Sequence, residues 1–212
     1  TFIINFLAAT ILLVGILIIY LDNGTFSTLN ITKVSDLAAV FVLIGIMAKS
    51  VTVPLHVWLA PAYGAIPTGL GGSIAGVAEN IGVILFLRLF TLGNNGSPTF
   101  MSTVSWLAIV SSIIGGAVAL RSNKLRNLLA FSTISQVGFI LLGFAVGGLY
   151  GVTGGVLYII AHALAKAGLF YGVGIIEDVT GEDDLTNMSC MLRLSPVLTL
   201  GMALLAGSIV GF

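Results

Sequence analysis

Residues 45–54 read GIMAKSVTVP, a lysine set into what otherwise looks like the middle of a membrane helix, with a proline five residues further on. A charge at the centre of a bilayer costs about 2.5–3.5 kcal/mol on insertion scales. An interior proline removes a backbone donor and frees a carbonyl one turn earlier, here near Lys49 and Ser50. The two costs belong together if the segment is a broken helix. Helices interrupted at membrane depth persist where they line a cavity, and transporters bind their ions at such breaks. On this reading Pro54 breaks the helix, the break admits water, and the water hydrates Lys49. The competing reading is that Pro54 ends the helix near the interface and Lys49 pairs with a carboxylate. Thr52 and His56 extend the polar track, although a histidine there also suits an interface.

Composition sets lipid as the main solvent. The chain has 212 residues, 58% hydrophobic and only 8% charged, against about 25% charged in soluble domains. The formal net charge of zero leaves no global field to attract nucleic acid. The single cysteine, Cys190, excludes an internal disulfide and lacks the companions of a zinc or iron–sulfur site. The sequence contains no phosphate loop, no Rossmann fingerprint and no cysteine–histidine pair, so no cofactor is implied. It starts at Thr1 without a basic leader and stops inside an apolar run at Phe212, so a piece of a longer membrane protein is expected.

Seven apolar segments suit membrane helices of roughly 20 residues: residues 3–20, 37–59, 69–92, 101–120, 128–146, 152–176, and a last one starting near residue 196. The runs are continuous rather than alternating, which argues against a β-barrel. The fold class expected is an all-α polytopic helix bundle forming one membrane domain over residues 1–212. The connection RSNKLRN, residues 121–127, carries three basic residues and is expected on the cytoplasmic side. Alternation then puts the loops after the second and sixth segments on that same side. The acidic loop at residues 177–193 reads either as solvated or as a contact with a neighbouring protein.

Four ionisable side chains fall inside the spans: Lys49, Glu79, His162 and Lys166. Such groups mark ion paths and proton relays when they face protein or water. His162 and Lys166 stand four apart, so they share a helix face. Two titratable groups one turn apart can pass a proton directly or through water; the alternative is a snorkelling lysine beside a hydrogen-bonded histidine. Glu79, next to Asn80, reads as a counter-ion for Lys49 or as a protonated acid. Ser132, Thr133, Ser135 and Gln136 can hold water between helices or simply bond helix to helix. Arg88 lies near the far end of its span, which leaves no arginine clamp for an organic solute.

Three stretches resemble the antiporter-like membrane subunits shared by respiratory complex I, the Mrp sodium/proton antiporters and the membrane-bound hydrogenases. AKSVTVPLHVWLAPAYGAIPT (residues 48–68) is similar to the family's A-K-S-x-x-x-P-L-H-x-W-L-P-D-A-x-x-x-x-P-T. ALRSNKLRNLLAFSTISQVGFILLG (119–143) and YIIAHALAKAGLFYGVGII (158–176) resemble its A-x-x-x-x-D-L-K-R-x-L-A-Y-S-S-I-S-H/Q-x-G and N-H-A-x-x-K-A-x-L-F-x-x-x-G segments. The resemblance implies a core of about fourteen helices in two inverted repeats, with this chain as its central part. It implies that Lys49 is the pumping lysine on the broken helix, His56 the histidine after the break, and His162 and Lys166 the connecting pair. Several positions depart from the family. Ala60 and Pro61 replace proline–aspartate, PTGLGG (67–72) replaces P-T-P-x-S-A, and LAGSIVGF (205–212) lacks the proline pair. Asn80 stands where the family has a relay lysine or histidine, so the central relay falls to Glu79 or is interrupted.

The expected function is proton or sodium/proton translocation by a non-redox subunit of a respiratory, hydrogenase or Mrp-type complex. The alternative is a scaffold subunit of the same fold that no longer pumps. The implied partners are other membrane subunits, the lipid bilayer, and protons or sodium ions. The implied location is a bacterial or archaeal cell membrane or an organellar inner membrane.

Overall fold

The computed structural model describes residues 2–28, 30–93, 95–181, 183–186 and 195–210; Cys190 and the second part of the acidic loop, from residue 187, lie outside them. Within these residues the chain is helical, and the strand-like element is one isolated antiparallel bridge between Lys124 and Asp184. Five helices are long and apolar enough to cross a membrane: Ile3–Asn23, Leu70–Thr91, Pro98–Leu120, Leu125–Val146 and Gly148–Thr180. The other two expected spans differ. The last described helix, Pro196–Val210, has 15 residues, and the second segment is not one helix.

In chain order the helices are α1 (Phe2–Asn23), α2 (Asp36–Lys49), α3 (Leu59–Ala65), α4 (Thr68–Ser73), α5 (Asn80–Phe86), α6 (Pro98–Leu120), α7 (Leu125–Val146), α8 (Gly148–Thr180) and α9 (Pro196–Val210). A π-helical turn, Ile74–Ala78, joins α4 to α5, and a second, Leu87–Thr91, continues it. Together these form the third span. Local chemistry fixes several ends. Ser97 caps α6 by accepting the Phe100 amide at 3.2 Å, with Pro98 in the first helical position, where its missing N–H is not needed. Asn23 ties the end of α1 to the following loop, donating to the Lys33 carbonyl at 2.8 Å and accepting the Thr32 and Lys33 amides.

α6 and α7 approach most closely. A Cβ on Gly138 would fall 2.5 Å from the Ser112 hydroxyl, and one on Gly115 would fall 2.5 Å from the Ser135 amide nitrogen. Small residues let these backbones touch, which is how helices associate in lipid. Ser112 and Ser135 then bond each other's carbonyls reciprocally, at 3.2 and 2.8 Å. The buried apolar side chains form two clusters. One gathers Val42, Ile46, Val83, Phe86, Phe90, Val137 and Phe144. The other gathers Val51, Leu59, Tyr63, Leu129, Ile134, Phe170 and Val173.

The loops expected on one side do meet at one end. Lys124 pairs with Asp183 at 3.2 Å, Arg126 with Glu177, and Arg126 also donates to the Tyr63 and Ile66 carbonyls at 3.1 and 2.7 Å. Thus the connection after α6, the end of α8 and the end of α3 are stitched together. At the opposite end Thr91 donates to the Phe144 carbonyl at 3.0 Å, joining the end of the third span to the end of α7.

Candidate functional site

The helix carrying Lys49 ends five residues earlier than the proline suggests. α2 stops at Lys49, and Val51 takes a left-handed backbone, φ 56°. The Thr52 amide turns back to the Met47 carbonyl at 2.9 Å, and the Ser50 amide bonds the Ile46 carbonyl at 2.7 Å. The i to i−5 bond from Thr52 over a left-handed residue is a Schellman closure, usually built on glycine. A β-branched residue there is strained by about 1–3 kcal/mol. Trp58 reaches back from the irregular segment to cap the Ala48 carbonyl at 3.0 Å, and the Val53 amide donates to Ser111 on α6 at 2.9 Å. Pro54 follows the break rather than making it. Lys49 therefore sits at a helix C-terminus, where a cation complements the negative end of the helix dipole. It is half-buried, as is His56.

Polar residues separate the two apolar clusters on every helix that enters both. Along the second segment Met47 belongs to one cluster and Val51 to the other, with Lys49 and Ser50 between. On the third span Glu79 and Asn80 lie between Ala75 and Val83; on α7 Ser135 and Gln136 lie between Ile134 and Val137. On α8 His162 lies between Ile159, packed on the first cluster, and Ala165, in the second. Gly82 sets the close approach of this layer to the break, since a Cβ there would fall 2.1 Å from the Ser50 hydroxyl and 3.0 Å from the Ile46 carbonyl.

Glu79 and Asn80 are adjacent in sequence yet 1% and 2% exposed. A π-helical turn, Ile74–Ala78, ends just before them. Asn80 uses its amide to satisfy the Gly76 carbonyl at 3.0 Å. Glu79 accepts a hydrogen bond from the Tyr63 hydroxyl on α3. Of the two readings of Glu79, the pair with Lys49 does not form among the described residues; α3 brings the Tyr63 hydroxyl to the carboxyl instead.

Lys166 is fully buried, at 0% exposure, which excludes the snorkelling alternative. Its Nζ donates to the Leu129 carbonyl at 2.8 Å and to the Ser132 hydroxyl at 2.6 Å, both on α7. His162, one turn earlier, is 1% exposed, and neither ring nitrogen has a hydrogen-bond partner among the described residues. Ser135 is placed in the reciprocal bond with Ser112. The Tyr158 hydroxyl meets the Gln136 side-chain oxygen and lies 2.7 Å from the Ile209 carbonyl oxygen, with one hydrogen to share between the two, so it links α7, α8 and α9. Sequence reasoning missed Tyr63 and Arg126. The only signal for Tyr63 was a hydrogen-bonding residue in the segment after the break, and nothing local pointed it at Glu79.

A bundle of long apolar helices, with a strained, capped helix break and a layer of buried amine, carboxylate and imidazole groups between two apolar clusters, defines a polytopic membrane protein. Comparison with known proteins narrows the class. Residues 1–212 match the family model described as NADH:quinone oxidoreductase/Mrp antiporter, TM, and the chain belongs to that family. It is 29% identical to a subunit of the Na(+)/H(+) antiporter of Alkalihalophilus pseudofirmus, over 92% of this chain and 42% of that protein. It is also 29% identical to a subunit of the NADH-quinone oxidoreductase of Desulforudis audaxviator, over 94% of this chain and 42% of that protein. Its fold superposes on a chain of the Mrp complex from Dietzia sp. DQ12-45-1b with a TM-score of 0.91 and 29% identity, over 99% of this chain and 40% of that one. The chain thus spans less than half the length of these relatives.

Proposed function

We propose that this chain is the central part of an antiporter-like membrane subunit that translocates protons, or exchanges sodium for protons, within a multisubunit complex in a bacterial, archaeal or organellar membrane. It carries no redox centre of its own on this reading. Lys49 takes up a proton at the break on the cytoplasmic end, and the buried layer passes it laterally through Glu79, Ser132 and His162 to Lys166. His56 and Asn80 border this path.

The observation that carries the reading is the environment of Lys166. Its ammonium is fully buried, bonds the neutral oxygens of Leu129 and Ser132, and forms no ion pair among the described residues. The Arg126–Glu177 pair at the bundle end is the contrast: Nε meets Oε1 at 2.7 Å and Nη2 meets Oε2, a bidentate fork that locks both charges. A lysine that only stabilised the fold would gain most from such a lock. A lysine that gives up its proton is better served by neutral partners that do not lock the charge in place. The unpartnered nitrogens of His162 support a hydrated layer, since buried polar atoms bond either protein or water.

The test is Lys49→Ala in membrane vesicles, with transport and assembly read separately. Loss of cation-linked proton movement in a fully assembled complex is expected. Unchanged transport would sink the reading, and loss of assembly alone would favour the scaffold.

A further inference from the structure

Tyr63 is 2% exposed, and it is held from both of its polar ends. Its hydroxyl donates to Glu79, and its ring packs against Phe170 of α8 with centroids 4.5 Å apart. Its own carbonyl accepts from Arg126 Nη1 at 3.1 Å, and the same nitrogen donates to the Ile66 carbonyl at 2.7 Å. These are carbonyls at the C-terminal end of α3, which otherwise lack intrahelical partners. α3 has only seven residues, with the irregular segment before it and Pro67 just after it. A helix that short has no stability of its own, so its position is set by what grips it. The grip is Arg126, and Arg126 is in turn fixed by the two-point pair with Glu177 of α8. The outer side of α3 faces an open cavity of about 710 Å³, lined by Ala60, Pro61, Gly64, Arg126, Glu177 and Asp183 among others. One short helix thus separates that cavity from the buried carboxyl of Glu79.

We infer that Tyr63 is a positioning residue that seats the Glu79 carboxyl and shields it from this cavity, and that the Arg126–Glu177 pair holds Tyr63 in place. The proposal rests on the reading of Glu79 as part of the transfer path. No covalent step is involved. The phenol keeps its proton, occupies one carboxyl oxygen of Glu79, and blocks the shortest approach of water to it. Glu177 and Arg126 touch no transferring group; they act through the placement of α3.

The experiment uses the assembled complex in native membranes. Glu79 is labelled from the aqueous phase with a water-soluble carbodiimide and quantified by mass spectrometry. In parallel, its carboxyl stretching band is identified as the infrared feature that Glu79→Gln removes. Tyr63→Phe deletes only the hydroxyl and is expected to raise labelling several-fold and to shift the band. Arg126→Lys keeps the charge but loses the fork, and is expected to move both readouts in the same direction as Tyr63→Phe. The charge exchange Arg126→Glu with Glu177→Arg is expected to bring both back toward wild type. Wild-type labelling and an unshifted band in Tyr63→Phe would overturn the seat. A response to Tyr63→Phe with none to Arg126→Lys would overturn the clamp. If Glu79→Gln transports normally while the labelling results hold, the transfer role of Glu79 fails and the seat stands.

Discussion

Lys166 separates two uses of a buried charge. Its two hydrogen bonds go to neutral oxygens, so the desolvation of the ammonium is only partly offset. Taking an ammonium out of water costs on the order of several kcal/mol, which an apolar side chain of similar volume does not incur. Lys166→Met is therefore expected to leave the melting temperature of the detergent-solubilised protein unchanged or higher; a marked fall would mean that the amine serves the fold. The ion pairs at the bundle end behave differently from each other. Lys124 and Asp183 are 57% and 39% exposed at their side chains, and Lys124→Gln should change stability by no more than about 1 kcal/mol. Arg126 and Glu177 are 19% and 15% exposed and bidentate, and Glu177→Ala should cost about 1.5–3 kcal/mol in chemical denaturation. The inward placement of His162 and Lys166 was legible in the sequence, because a charge inside an apolar run of roughly 20 residues has to face protein or water. The partner of Glu79 was not legible, because Tyr63 reaches it only after the chain has turned through the break.

Helix breaks show why the number and type of elements can be read more easily than their ends. The apolar runs matched five membrane-length helices among the described residues, and Pro54 marked a break close to the right place. The break itself begins at Val51, whose left-handed backbone no β-branched residue advertises. Tertiary contacts impose it: the Trp58 indole on the Ala48 carbonyl, Ser111 on the Val53 amide, and the tight approach of α5 at Gly82. The π-helical turns of the third span were equally invisible, since they shift register without changing composition. Gly82 offers a test of how the break is held. Gly82→Ala forces a methyl against Ser50 and the Ile46 carbonyl, and should destabilise the protein by about 1–3 kcal/mol. Adding Ser50→Ala removes the nearer obstacle and should recover part of the loss, a non-additivity that thermal melts of the two single variants and the double variant can measure. Strict additivity would mean that the two positions are not in contact.

The whole bundle is ordered by a polar layer between two apolar clusters and by a sewn end that joins α3, α7 and α8. The side of the membrane that this end faces was expected from its basic loop, and the structure adds that the other two loops gather there. With Cys190 replaced, a cysteine at Lys124 should react with a membrane-impermeant thiol reagent only from the cytoplasmic face, and one at Asn95 only from the opposite face. Reversed labelling would invert the proposed direction of proton uptake. The family and its fold were legible because three motifs lie in order along the chain; whether the layer conducts depends on groups brought together across four helices, which no local pattern encodes. The most direct test of conduction is the rate of cation-linked proton movement in vesicles carrying equal amounts of assembled wild-type and Lys166→Met complex. Loss of that movement, with assembly and melting temperature preserved, is predicted. A wild-type rate from the variant would contradict proton transfer through the buried amine.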